Sequence, residues 1–145
     1  MSDDIILIDS NVLVYAFDTA YREKRQRAKE IVEAVTNGEM GGAVSNQILA
    51  EFFTCVTDKI EKPLSIDDAQ TIVEGMIASA NWIKADYTSE TVNRAVTLCK
   101  EHTINLWDAL VIATMREHNI FRIYTEDIIL LRYAGIRAEN PFVQS

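Results

Sequence analysis

Short apolar runs alternate with longer amphipathic stretches along this chain, and the alternation predicts its elements. "IILID" is a continuous Ile-rich run ending in an acid, too short for a helix, and reads as a buried parallel strand. A short helix, "SNVLVYAF", follows it. "REKRQRAKEIVEAVTNG" is amphipathic, with Ala28, Ile31, Val32 and Val35 on one face and Gly38 as its C-terminal stop. "GGAVS" reads as a second strand. "SNQILAEFFTCVTDKI" is then a helix capped by Ser45 or Asn46. Pro63 breaks the chain, and Ser65 is placed to cap the helix "SIDDAQTIVEGMIASA".

The second half repeats the alternation. "NWIKAD" reads as a third strand and "TSETVNRAVTLCKEHT" as a helix with Ala95, Leu98 and Cys99 facing in. "NLWDALVIATM" puts Leu106, Leu110, Val111 and Met115 at helical spacing, with small Ala109 and Ala113 between them. "FRIYTED" is a fourth strand, "DIILLRYA" a final short helix, and "IRAENPF" a short edge strand with a proline beyond it. Strands alternating with helices predict an α/β fold. Its central sheet is mostly parallel, of four to five strands, with helices on both faces.

Composition changes this picture little. The 145 residues make one domain by length, residues 1–145, large enough to bury a core without staples. Cys55 and Cys99 lie in apolar helical patterns and read as reduced core thiols. No stretch approaches the roughly 20 apolar residues of a membrane span. The acidic start, "MSDD", is unlike a leader, so the expected location is cytoplasmic. The net charge of −8 argues against nucleic-acid binding on its face. Acids gathered around divalent ions would invert the local charge, so their distribution matters more than their number.

Asp108 follows Trp107 at the front of an otherwise apolar helix, and it is not the only acid so placed. Sites in open α/β sheets form beyond the carboxyl ends of the strands. After the first strand stand Asp9, Ser10 and Asn11; after the fourth stand Thr125, Glu126 and Asp127. Glu51 sits among Leu49, Phe52 and Phe53, where an unpartnered acid is costly. Singly, each acid has an ordinary reading as a helix-start, turn or border residue. Together they would repel one another, and no Lys or Arg adjoins Asp9, Glu51, Asp108 or Asp127 in sequence. Hard oxygen ligands with no nearby His or Cys favour one or two Mg²⁺ or Mn²⁺ ions. Such clusters typically activate water for in-line attack at phosphorus.

"LIDSNVLVYAFD", "ILAEFF", "WDALVIATM" and "IYTEDIILLRYAGIRAENPF" resemble, in order, the motifs of PIN-domain ribonucleases, most closely the VapC-type toxins of toxin–antitoxin pairs. The likeness runs from residue 5 to about residue 142. It implies a single PIN-like domain with Asp9, Glu51, Asp108 and Asp127 as catalytic and metal-binding acids. Ser10 and Asn11 would orient Asp9, and Thr125 would hold the turn before the last acid. Relatives commonly carry Asp-Phe or a glutamine–glycine stretch after that acid, where this chain has "IILLRYAG". Either Glu126 or Asp127 could therefore face the site, and the match favours Asp127. The resemblance also implies an RNA substrate, a homodimer, and an antitoxin whose tail enters the active-site groove with a basic side chain near the acids.

Two other functions compete. A phosphotransferase using Asp9 as a covalent nucleophile would want a second Asp two residues later, where Asn11 stands. A non-catalytic binding module could keep the fold, but would have no reason to keep all four acids. The five basic residues of "REKRQRAKE" could steer RNA. A solvated helix face with a Glu23–Arg27 pair explains them slightly better. His102 and His118 end helices and lack metal-ligand spacing. Trp82, Trp107, Phe52 and Phe53 are expected in the core or a dimer contact rather than as stacking platforms. Val12, Tyr15 and Phe17 are explained by core packing as well as by a partner groove.

Overall fold

Five parallel strands carry the apolar runs, in a computed structural model that describes residues 4–127 and 135–143. The strands are β1 (Ile6–Ile8), β2 (Gly42–Val44), β3 (Trp82–Lys84), β4 (Arg122–Tyr124) and β5 (Arg137–Glu139), in the order β3-β2-β1-β4-β5. β1 and β2 are buried at every position, as parallel strands covered on both faces must be. Register pairs Leu7 with Ala43 on one side and with Ile123 on the other. The expected edge strand pairs with β4 through Ile123 and Ala138.

Among the described residues six helices flank the sheet: α1 (Ser10–Tyr15), α2 (Arg22–Thr36), α3 (Asn46–Asp58), α4 (Ile66–Ala78), α5 (Ser89–Glu101) and α6 (Leu106–Glu117). Their starts follow the capping chemistry. Ser45 accepts the Ile48 amide and so caps α3, while Ser65 accepts the Asp68 amide and caps α4. Asn46 is the first residue inside α3, with its side chain committed to the amides of Gln47 and Tyr87. Gly38 takes a φ of +76° just past the end of α2, which a side chain would resist. Gly42 lets α2 lie against the sheet, since a Cβ there would fall 2.5 Å from a Val35 methyl carbon.

α6 is the most enclosed helix, buried at every residue from Ala109 to Met115. That explains its nearly continuous apolar sequence. α5 packs along it, and α1 packs on α3 with Phe17 edge-on to Phe52 at 5.7 Å. The helix read in "DIILLRYA" lies, past Asp127, outside the described residues. Among the described residues no helix is long and apolar enough to cross a membrane.

The sheet order fixes where a site can form. From β1 the chain winds outward through β2 and β3 in one direction, and through β4 and β5 in the other. The crevice at this switch point lies between the carboxyl ends of β1 and β4. Asp9 and Thr125 are the residues that follow those two strands.

Candidate active site

Asp9 leaves β1 and becomes the cap of α1. Its backbone N–H pairs with the Tyr124 carbonyl at 3.0 Å, and its side chain accepts the Ser10 amide at 2.8 Å. Across the crevice, Thr125 donates its hydroxyl to the other Asp9 carboxylate oxygen at 2.7 Å, where Asn11 also reaches at 3.4 Å. Asn11 further ties the two strand ends, donating to Thr125 Oγ1 at 3.3 Å and accepting the Glu126 amide at 3.3 Å. The Asp127 amide donates to Thr125 Oγ1 at 2.9 Å. One buried threonine thus links the first acid to the last.

Glu51 rises from α3 and accepts hydrogen bonds from Ser10 at 3.2 Å and Gln47 at 3.3 Å. Asp108 stands in the first turn of α6. Asn105 caps that helix by accepting the Asp108 amide at 2.9 Å, and its own amide donates to the Asp108 carboxylate at 2.8 Å. Asp9, Glu51, Asp108 and Asp127 all line one cavity of about 310 Å³. No Lys or Arg is among the described residues lining it.

Electrostatics carry the mark of that crowding. The Asp9 carboxyl titrates above its ordinary range, because burial outweighs the Thr125 and Ser10 hydrogen bonds and Asp127 adds repulsion. Glu51 is raised by burial and then by the charges of Asp9 and Asp108. Asp108 is raised by burial, by the charge of Asp127 and by a hydrogen bond between the two carboxyls, against the pull of Asn105. The N-terminus of α6 favours an ionised Asp108. Burial and the neighbouring acids prevail instead.

Donor chemistry fits a divalent cation: the described walls offer carboxylate, hydroxyl and amide oxygens and no Lys or Arg. Among the described residues no three His, Cys, Asp or Glu side chains are placed to hold a metal ion as they stand. The acids instead ring an open cavity, an arrangement suited to an ion that keeps several of its waters.

Glu126 and Asp127 part ways. Glu126 accepts from Lys24 at 2.8 Å and from Tyr15 at 2.9 Å, and it is absent from the cavity wall. Lys24 lies 4.8 Å from the Tyr15 ring centroid and 5.8 Å from those of Tyr21 and Phe142. The pairing fixes Glu126 outward and leaves Asp127 to face the other acids.

The PIN domain family model matches residues 6–136. The chain belongs to the PIN domain family. No curated protein matches it in sequence. Solved structures share the PIN fold over almost the whole chain. A toxin–antitoxin complex from Klebsiella pneumoniae aligns with a TM-score of 0.63 and 19% identity over 94% of this chain and 97% of that one. VapC20 of Mycobacterium tuberculosis, a sarcin-ricin loop cleaving toxin, gives 0.65 and 15% over 91% and 98%. VapBC2 of Rickettsia felis, bound to a DNA fragment from its promoter, gives 0.62 and 18% over 93% and 97%. At these identities the likeness is one of fold.

Four features of this PIN domain lie outside the sequence reading. Asn105 supports Asp108 from both backbone and side chain, although "NLWD" carries the cap-and-acid spacing in plain view. Gln47, buried within α3, bonds both Glu51 and the Trp107 carbonyl, the latter at 3.3 Å. Trp107 was expected in the core or a dimer contact, but in the free chain its side chain is 60% exposed beside the cavity. Trp82 and Phe52 are buried as expected. The Glu23–Arg27 pair is not formed; Arg27 lies 3.8 Å from Glu30 and donates to the Pro141 carbonyl at 3.2 Å.

Proposed function

We propose that this PIN domain is a metal-dependent endoribonuclease that hydrolyses RNA phosphodiester bonds at Asp9, Glu51, Asp108 and Asp127. The observation that carries the reading is four carboxylates from four elements lining one cavity with no cation in its described wall. A bound Mg²⁺ or Mn²⁺ would neutralise the acids, activate water and stabilise the leaving oxygen. The chain's own residues supply the rest. Thr125, Ser10 and Asn11 hold Asp9; Ser10 and Gln47 hold Glu51; Asn105 holds Asp108. These three acids are thereby kept in position before an ion or a phosphate arrives.

The biological role we infer is that of a VapC-type toxin, paired with an antitoxin. Support comes from the likeness to a toxin–antitoxin complex and to VapC20. A basic segment of the antitoxin would complement the acidic cavity and this chain's charge of −8. A homodimer in the cytoplasm completes the reading. Incubating purified protein with a mixed RNA pool tests it: fragments should appear with Mg²⁺ or Mn²⁺ and not in chelator. RNA left intact under every metal condition, including at high enzyme concentration, would contradict it.

A further inference from the structure

A second cavity, of about 540 Å³, runs along α3 beside the acidic one and shares Gln47, Glu51, Cys55 and Trp107 with it. Its outer walls bring Trp107 and Tyr87 to the groove, and Lys59 stands at its far end. We propose that this groove binds single-stranded RNA flanking the scissile phosphate, with a base stacked on Trp107 and a phosphate held by Lys59. The inference rests on the ribonuclease reading above.

The Trp107 indole is held at the rim by its backbone while its ring stays in solvent. The Gln47 amide fastens the Trp107 carbonyl to α3, next to Glu51. Asn46 fastens Tyr87 in the same way, accepting its amide at 3.3 Å and donating to its carbonyl at 3.5 Å. Aromatic faces carried on a fixed backbone suit sequence-tolerant base stacking. Trp107 adjoins Asp108 in the chain, so a base on the indole would lie next to the phosphate in the acidic cavity.

Charge decides between RNA and an apolar protein segment as occupant. Lys59 ends α3 and takes no carboxylate partner among the described residues. Lys24 is already paired with Glu126, and Arg27 with Glu30. Eight residues separate Glu51 from Lys59, or about 12 Å of helical rise. That exceeds the roughly 8 Å screening length at physiological salt, so Lys59 leaves the acids' charge intact. It is placed to meet a phosphate further along a strand that already passes the acids. An acidic chain needs such a cation at some point on its RNA path.

Tryptophan fluorescence reads the groove directly. The chain has two tryptophans, and Trp82 is 1% exposed, so quenching by a bound base would report Trp107. A short mixed-sequence single-stranded RNA is titrated with Mg²⁺ into Asp108→Asn protein, where hydrolysis is silenced. The expected result is quenching of exposed-tryptophan emission on binding. Followed by anisotropy of labelled RNA, adding Trp107→Ala should weaken affinity ~5- to 150-fold, the usual span for losing one stacked base. Trp107→Phe, which keeps a ring, should restore most of that loss. Lys59→Gln should reduce the slope of log Kd against log salt by about 0.7.

RNA hydrolysis by wild type with unaltered affinity and KM in Trp107→Ala and Lys59→Gln would overturn the groove and leave the nuclease standing. Tight, Trp107-dependent RNA binding without hydrolysis by wild type would keep the groove and remove the nuclease. RNA that neither binds nor is cut would overturn both. A wild-type dimer that Trp107→Ala dissociates, with RNA affinity retained, would make this face a subunit interface and overturn the proposal.

Discussion

Thr125 donates its hydroxyl to Asp9 at 2.7 Å, bridging the carboxyl ends of the neighbouring strands β1 and β4. The same oxygen accepts the Asp127 amide at 2.9 Å, so one side chain sets the spacing of two acids. Thr125→Val keeps the shape and removes both bonds, together with the one that Asn11 donates to the same hydroxyl. Because Thr125 is 2% exposed, the amide and carboxylate oxygen it leaves should cost about 1–3 kcal/mol of stability. Metal affinity should fall ~10- to 100-fold, as it does when a ligand loses its orienting partner. Urea unfolding and calorimetric Mn²⁺ titration of the same variant measure the two effects.

The acids make metal-free stability depend on pH in an unusual direction. Asp9, Glu51 and Asp108 titrate above their ordinary values of 3.8 for aspartate and 4.5 for glutamate. The folded chain therefore holds more protons than the unfolded chain in the window above those values. Stability must fall as pH rises through that window. In chelator, Tm should thus drop between mildly acidic and neutral pH through these groups, and saturating Mg²⁺ should reverse the trend. A Tm series in both buffers decides the matter.

Asp108→Asn should be more stable than wild type in chelator at neutral pH, because it removes one of the mutually repelling charges. An asparagine oxygen can still accept the Asn105 amide. The gain in Tm should be about 2–4 °C per kcal/mol of repulsion relieved. With saturating Mn²⁺ the order should invert, and differential scanning calorimetry under both conditions would show it.

Glu126 and Asp127 are neighbours in the chain with opposite expected roles. Glu126→Gln should retain RNA hydrolysis within a few-fold, since Glu126 is engaged with Lys24 and Tyr15. Its ion pair is partly exposed and should contribute no more than about 1 kcal/mol. Asp127→Asn should reduce hydrolysis by on the order of 10²-fold or more, the usual scale for a charge acting on the transition state. Initial rates for the two variants at equal metal concentration test the assignment.

Asn105→Ala removes the α6 cap and the side-chain support of Asp108 together. Loss of the cap should cost about 0.5–2 kcal/mol. A drop in metal affinity should accompany it, whereas replacing the Ser65 cap of α4, which has no part in the cavity, should cost stability alone.

Much of this architecture is legible in the residues because local and global demands agree. β1 and β2 are buried on both faces, and their apolar runs say so. Ser45, Ser65 and Gly38 announce helix ends through short-range chemistry that no tertiary contact overrides. Parallel strands also fix the end of the sheet where polar residues gather, which brings Asp9 and Asp127 together across the switch point. What was not legible depends on partners distant in sequence. The match to family motifs only leans towards Asp127, and the two acids part when Lys24, from α2, takes Glu126. Trp107 reads as a core or dimer-contact residue, yet in the single chain the first turn of α6 leaves it exposed before the helix enters the interior at Ala109. Arg27 had a correctly spaced partner in Glu23 and took Glu30 and the Pro141 carbonyl instead, a choice set by the approach of the C-terminal segment.

The most direct test of the four-carboxylate site is hydrolysis of a mixed RNA pool by wild type and by Asp108→Asn protein purified identically, with Mn²⁺ and with chelator. Cleavage by wild type alone, and only with metal, is the predicted result. Equal cleavage by both proteins, or cleavage by wild type that persists in chelator, would contradict it.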